Sequence, residues 1–299
     1  MPRPVPYVMC RYEMTINDNP LSAREQYQIL QRIRGTLVVH RKADPGPDDA
    51  DTLIMRPKRL VVSGRDVLTW DVGQQLTGRS EAYYDSDTDE VHRRWSDGDA
   101  VRYASFVAVP SLGALAVNDR TGEIHLGSAA GIARMKTIFR NAVEGGDIAI
   151  TQAATHADAR RAVDTWTLDR FDFAVRPFNP HPRDPGRMLS EIMARDNIGA
   201  LQGRAVPAAG KEMRKTDGGY IEEAVGLADA GYGQYGMRGR TPEGREVALK
   251  KPRFDLDKER NENIQAGPQQ LRVFLESHDD ETDEFKEAAA ALIEFYGQE

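Results

Sequence analysis

Cysteine is nearly absent from this chain: its 299 residues include only Cys10. A single cysteine can form neither an internal disulfide nor a cysteine-based zinc site, which fits a reducing compartment. Because Cys10 lies in an apolar stretch, we interpret it as a core thiol. No apolar run approaches the roughly 20 residues of a membrane helix, and the first ten residues lack the profile of an export signal. We therefore expect a soluble, cytoplasmic protein without membrane contact.

Recognisable catalytic motifs are also missing. The sequence has no GxSxG elbow, no phosphate-binding glycine loop followed by lysine, and no dinucleotide fingerprint. Its six histidines are scattered, and no two have the spacing of a helical metal site. The sequence thus predicts no cofactor and no metal, and it favours a binding protein over an enzyme.

Charge is present but unevenly distributed. The net charge is −7, and residues 279–299 carry that whole excess, with eight acids against one lysine. The other 278 residues are therefore neutral overall, although residues 232–253 hold six basic residues against two acids, a local net of +4. This polarity predicts an acidic C-terminal helix and a separate basic surface.

Local patterns indicate an α+β fold with mainly antiparallel sheets. Two capping boxes, Ser22 with Glu25 and Thr155 with Asp158, predict helix starts. Glycines 145 and 146 end a helix and mark the expected domain boundary. We predict a strand-rich mixed α/β domain over 1–145 and an α+β domain over 146–299. The second domain is expected to end in a helical segment, with one helix led by Pro268 and then the acidic helix.

One expected binding element is the loop 176–187. Four prolines stiffen it and present Arg176, His181 and Arg183 to a phosphate or a partner protein. The alternative is a rigid connection between a strand and a helix, without any binding role.

The other expected binding element is a basic hairpin over 232–253. Its cations could neutralise phosphates while its tyrosines stack on bases, although basic residues on a solvated hairpin are common without this role. The residues concerned are Tyr232, Tyr235, Arg238, Arg240, Arg245, Lys250, Lys251 and Arg253.

A nuclease is the main catalytic alternative. Arg272 and His278 fall on the predicted C-terminal helical segment, where a cation could hold a phosphate and a histidine could transfer a proton. Such arginine–histidine spacings also arise by chance in a chain with many arginines.

Two short stretches carry a family resemblance. Residues 12–20, YEMTINDNP, and 176–181, RPFNPH, followed by Leu189, Met193 and Asn197, resemble uncharacterised bacterial proteins encoded in phage-defence or mobile-element loci. The resemblance implies a defence-associated accessory or effector that acts on or senses nucleic acid or a phage protein. We therefore expect a non-enzymatic component that binds DNA, RNA or a partner protein, or that forms a homo-oligomer. A nuclease and a structural subunit of a larger assembly remain the alternatives.

Overall fold

A computed structural model describes residues 4–36, 38–39, 51–75, 79–85, 90–96, 101–177, 187–216, 218–250, 269–278 and 280–297. The chain divides into two compact units. Unit 1 consists of residues 1–151 and 275–299, and unit 2 consists of residues 152–274.

Unit 1 is built on an antiparallel sheet. Its strands are β1 (Val5–Ile16), β2 (Asn19–Pro20), β3 (Val38–Val39), β4 (Asp51–Val62), β5 (Arg65–Gln75), β6 (Arg79–Asp85), β7 (Glu90–Ser96), β8 (Val101–Val109), β9 (Ala114–Asn118) and β10 (Gly146–Thr151). Along the sheet, β1 is followed by β9, β8, β5, β4 and β3, while β2 and β10 also pair with β1. The hairpin of β6 and β7 forms a separate two-stranded sheet.

Alternation along β1 assigns its side chains to two faces of this sheet. Val8, Cys10 and Met14 belong to a core shared with α1 (Ala23–Arg32) and α2 (Ser128–Ala142). The Ser22–Glu25 capping box begins α1, as predicted. Helix α2 lies so close to β8 that a Cβ at Gly131 would stand 2.6 Å from the Ala104 Cβ. These two helices therefore form one layer of unit 1.

The opposite face of the sheet is covered by α6 (Glu281–Tyr296), which packs against β8 and β9. Its first turn is held by polar contacts, because the buried Tyr7 hydroxyl donates to the Glu284 carboxylate at 2.7 Å. Arg56 forms two hydrogen bonds to Glu281, at 2.6 and 3.3 Å. The acidic residues at the start of α6 thus stabilise its docking onto unit 1.

Unit 2 combines an antiparallel sheet with three helices. Its strands are β11 (Ala153–Ala154), β12 (Thr167–Val175), β13 (Leu201–Ala205), β14 (Gly233–Arg240), β15 (Glu246–Lys250) and β16 (Gln269–Leu275). The order across the sheet is β13, β12, β14, β15 and β16, with β11 paired to β16. The helices are α3 (His156–Thr165), α4 (Arg187–Arg195) and α5 (Tyr220–Asp229). The Thr155–Asp158 capping box begins α3 as predicted.

The predicted α+β class is confirmed, with six helices and mainly antiparallel strands among the described residues. The expected division at 145/146 lies six residues before the boundary between the units, and residues 275–299 belong to unit 1. The prediction of a helix after Pro268 is wrong, because residues 269–275 form β16. Leu271, Val273 and Leu275 are buried with a period of two, which is typical of a strand. No helix in the described part of the chain is long and apolar enough to cross a membrane.

Candidate nucleic-acid interface

The sheet of unit 2 has one buried face. Among the described residues, its second face is buried at Ala174 and Gln234 but exposed around Arg170, Arg204 and Arg238, and we call it the open face. Phe171, Phe173, Tyr235 and Met237 alternate toward the interior, where Phe173 meets Tyr220 of α5 edge-on at 4.8 Å. Helix α5 packs against both β12 and β14, and Arg160 of α3 donates to Glu222 of α5 at 2.8 Å. The intervening residues of the same strands point to the other face. That open face is the candidate interface.

Strand register brings arginines from four strands onto the open face. Arg170 of β12 is the partner of Arg238 in β14, and Arg238 is the partner of Ala248 in β15. Ala248 in turn pairs with Arg272 of β16, so three arginines lie in one row across the sheet. Arg204 of β13 adds a fourth, since it pairs with Asp172 of β12. We call these four residues, together with Arg240 and Phe274, the arginine face.

Asp172 orders two of these arginines. Its carboxylate accepts the Nε–H of Arg170 at 2.5 Å and that of Arg204 at 2.7 Å. Partial burial opposes ionisation of Asp172, but the hydrogen bonds from Arg204 and Arg170 outweigh it and lower the pKa of the carboxyl group. Among the described residues, the terminal Nη groups of Arg170 and Arg204 have no hydrogen-bond partner. They are therefore oriented donors for an incoming anion.

Arg238 is held differently. Its Nε–H donates to Glu246 Oε1 at 2.6 Å, and its Nη2 donates to the same oxygen. The guanidinium carbon lies 5.5 Å from the centre of the Phe274 ring, within the range of a cation–π interaction. Still, 53% of the Arg238 side chain is exposed. One edge of its guanidinium is therefore occupied, while much of the group remains open to solvent.

The arginine face carries an excess of positive charge. Alternation beyond Arg238 places Arg240, which is exposed at the end of β14, on the same face. Arg170 and Arg204 pair with Asp172, and Arg238 pairs with Glu246, so these three arginines exceed their two carboxylates by one positive charge. This surface attracts anions rather than cations.

Some of the predicted hairpin residues lie on this face and others do not. Strands β14 and β15 form the expected hairpin, and Arg238 and Arg240 contribute to the arginine face. Tyr235 does not, because only 1% of it is exposed and its ring stacks on Phe171 in the interior. The prediction that Tyr235 stacks on bases is therefore wrong, because its ring is not accessible. Arg245 precedes β15 and Lys250 ends it, whereas Lys251 and Arg253 lie outside the described residues.

The predicted 176–187 loop is described only at its ends. Arg176 directly follows β12, and its backbone N–H donates to the Tyr232 carbonyl at 2.8 Å. Tyr232, which is 39% exposed, precedes β14. The structure thus brings these two predicted residues together at one end of the sheet, while His181 and Arg183 lie outside the described residues.

The predicted nuclease residues have separate surroundings. Arg272 lies on strand β16, rather than on the predicted helix, and donates to the Gln270 side chain at 3.4 Å. His278 belongs to unit 1, where its Nε2 lies 2.9 Å from Glu287 of α6. That hydrogen bond raises the pKa of His278. Arg272 therefore contributes to the arginine face, and His278 contacts the acidic helix.

Sequence reasoning missed Arg170, Arg204 and Phe274. The polar–apolar alternation of β12 indicates that Arg170 and Asp172 share a face, opposite Phe171 and Phe173. It does not indicate which strands lie alongside. Pairing between β12 and β14 depends on long-range packing, which a single sequence does not display.

Unit 1 contains a second polar cluster, beneath the start of α6. Asp71 is 1% exposed and accepts the Arg56 Nε–H at 2.6 Å. Burial raises the pKa of Asp71 despite the opposing effects of Ser105 and Arg56. Tyr103 completes the cluster by donating to Glu281 at 3.3 Å. This arrangement connects the sheet to α6.

No group of three or more metal-ligating side chains occurs within the described ranges. A scan of the chain against models of protein families found no match, and a search of curated proteins found no significant one. Among the described residues, the arginine face is the feature that best indicates a function.

Proposed function

We propose that this protein is a non-enzymatic component that binds nucleic acid through the arginine face of unit 2. The observation that carries the proposal is the alignment of arginines from β12, β13, β14 and β16 on one open sheet face. Arginine is the side chain best suited to phosphate, because its planar guanidinium presents several fixed donors.

The carboxylates on the face support this role. A surface ion pair contributes only about 0–1 kcal/mol to stability, so Asp172 has a small direct effect on folding. Its stronger effect is on geometry, since two arginines bonded to one carboxylate lose less conformational freedom when a phosphate arrives. Arg170, Arg204 and Arg238 exceed the two carboxylates they pair with by one positive charge, which attracts an anionic ligand.

The wider proposal concerns biological setting. The resemblance of residues 12–20 and 176–181 to proteins of phage-defence loci supports a role as a binding or effector component of such a system. In that setting, DNA or RNA of the invader or host is the ligand that matches the arginine face.

A titration with labelled single-stranded DNA and RNA tests the proposal. The test variant changes Arg170, Arg204 and Arg238 together to Gln. The matched control changes Arg59, Arg140 and Arg195 to Gln, since these three also lie at the surface in ion pairs with aspartates. Both variants lose three positive charges, so only the position of the lost charge differs.

Wild type and control are expected to bind with an affinity that falls as salt increases. The dependence of log K on log salt should be shallower by about 1.4 to 2 in the test variant, since it removes two or three phosphate contacts and each contributes about 0.7 for a single strand. Equal affinity and equal salt dependence in all three proteins would overturn the assignment of the face. Absence of binding by wild type at low salt would overturn nucleic-acid binding itself.

A further inference from the structure

We infer that the arginine face selects single-stranded nucleic acid and that Arg238 stacks on a base while Arg170 and Arg204 bind phosphates. This inference rests on the proposed function and names the ligand class of the same surface. It follows from the different ways in which the neighbouring arginines are held.

Arg238 differs from Arg170 and Arg204 in its aromatic neighbour among the described residues, Phe274. The Nε and Nη2 of Arg238 both bond to Glu246 and form one edge of the guanidinium, while the edge between Nη1 and Nη2 stays available. The planar faces of the guanidinium can contact a ligand independently of its edges. The Arg238 Cζ lies over the Phe274 ring, 5.5 Å from its centre, and 53% of the side chain is exposed. Guanidinium planes and aromatic rings are the groups on which unpaired bases stack.

Arg170 and Arg204 have no aromatic ring against them among the described residues. Each uses Nε to bond Asp172, and neither has another hydrogen bond among the described residues. Their Nη groups are therefore available as hydrogen-bond donors to an anion. Arg170 and Arg238 are direct partners across neighbouring strands, so a phosphate site and a stacking site lie about 5 Å apart along the sheet.

The width of the sheet excludes direct reading of a duplex groove by this face. Five strands at about 4.8 Å spacing give a surface about 19 Å across, whereas the major groove is about 12 Å wide and admits a two-stranded ribbon. A duplex laid on the face would offer its backbone and keep its bases stacked inside. A single strand can offer a base to Arg238 and phosphates to Arg170 and Arg204 at once.

The test compares three probes of equal length: a single strand, its duplex, and a single strand made of abasic residues with an intact phosphate backbone. Wild type should bind the normal single strand about five- to a hundred-fold more tightly than the abasic one, which is the effect of stacking a base. The duplex should bind no better than the abasic strand.

The variant Arg238→Lys isolates stacking, because lysine keeps the charge and lacks the planar group. It should bind the normal strand as weakly as wild type binds the abasic strand, and its affinity for the abasic strand should be unchanged. The variant Phe274→Leu, which removes the aromatic support, should reduce the same preference.

The two proposals fail in different ways. If all three probes bind wild type equally and Arg238→Lys changes nothing, the stacking inference is wrong while nucleic-acid binding stands. If Arg238→Lys weakens normal and abasic strands equally, Arg238 acts on phosphates and the inference is again wrong. If no probe binds at low salt, both proposals fail.

Discussion

The contact between Tyr7 and Glu284 joins residues 277 positions apart and tests whether α6 folds as part of unit 1. The perturbation is Tyr7→Phe, which removes one hydroxyl from a fully buried ring and changes little else. Burial, aided by the neighbouring Glu284 carboxylate, raises the pKa of the Tyr7 phenol well above its usual value. The hydroxyl therefore stays protonated and donates to Glu284 throughout the neutral range.

The expected loss follows from the charge of the acceptor. A hydrogen bond to a charged group contributes about 1.5–3 kcal/mol, compared with about 1 kcal/mol for a neutral pair. Two other partners of Glu284 remain after the change, Asn118 at 3.4 Å and Arg120 at 3.5 Å, and both are longer than the 2.7 Å bond that is lost. We therefore expect Tyr7→Phe to lower the free energy of unfolding of unit 1 by about 2 kcal/mol.

Tyr12→Phe is the matched control, because Tyr12 is a buried tyrosine on the same strand whose hydroxyl donates to the neutral Gln26 at 2.9 Å. Its expected loss is about 1 kcal/mol. The assay is urea unfolding, with hydrogen exchange in β1 reporting the transition of unit 1. A loss below about 0.5 kcal/mol for Tyr7→Phe, or a loss no larger than that of Tyr12→Phe, would refute the reasoning.

Two further predictions concern titratable groups in unit 1. Asp71→Asn should raise the melting temperature at about pH 7, because the raised pKa means that burial makes the ionised carboxylate less favourable in the folded than in the unfolded state, so stability is lost as pH rises through the folded value. The difference should shrink toward about pH 4, and thermal scans at both pH values check the sign; a variant that is less stable at neutral pH would contradict it. Cys10 should resist thiol reagents in the folded protein, since burial raises its pKa to about 12. Labelling of Cys10 as fast as in urea would show that the core around it opens readily.

Several elements of the fold could be predicted from local signals in the sequence. Both capping boxes and the hairpin of β14 and β15 depend on residues close together in the chain, and all three are present in the structure. The alternation of apolar residues also identifies the core positions of β12, since Phe171 and Phe173 are both buried.

Competing local signals account for the failure at β16. Pro268 is a common first residue of a helix and predicted one here, whereas the alternation of Leu271 and Val273 is typical of a strand. In the structure, β15 pairs with β16 through Val247 and Val273, so the period of two decides the outcome. Pairing partners of this kind are set by the fold as a whole.

The same limit applies to the candidate site. Arg238 and Arg240 could be identified from the cluster of basic residues around them. Arg204 could not be grouped with them, because it joins the arginine face only through Asp172 and the register of β12 with β13. The burial of Tyr235 likewise depends on the packing of α5 against the sheet, and its sequence neighbours alone indicated an exposed stacking residue.

Mapping the contact by ultraviolet crosslinking tests the central claim most directly. The intact protein would be irradiated with a bound single-stranded oligonucleotide, digested, and analysed by mass spectrometry for peptides that carry nucleotide. The account predicts crosslinked peptides from β12, β13, β14 and β16, the strands that supply the arginine face. Crosslinks confined to unit 1, or to helices α3 to α5 on the covered side of the sheet, would contradict it.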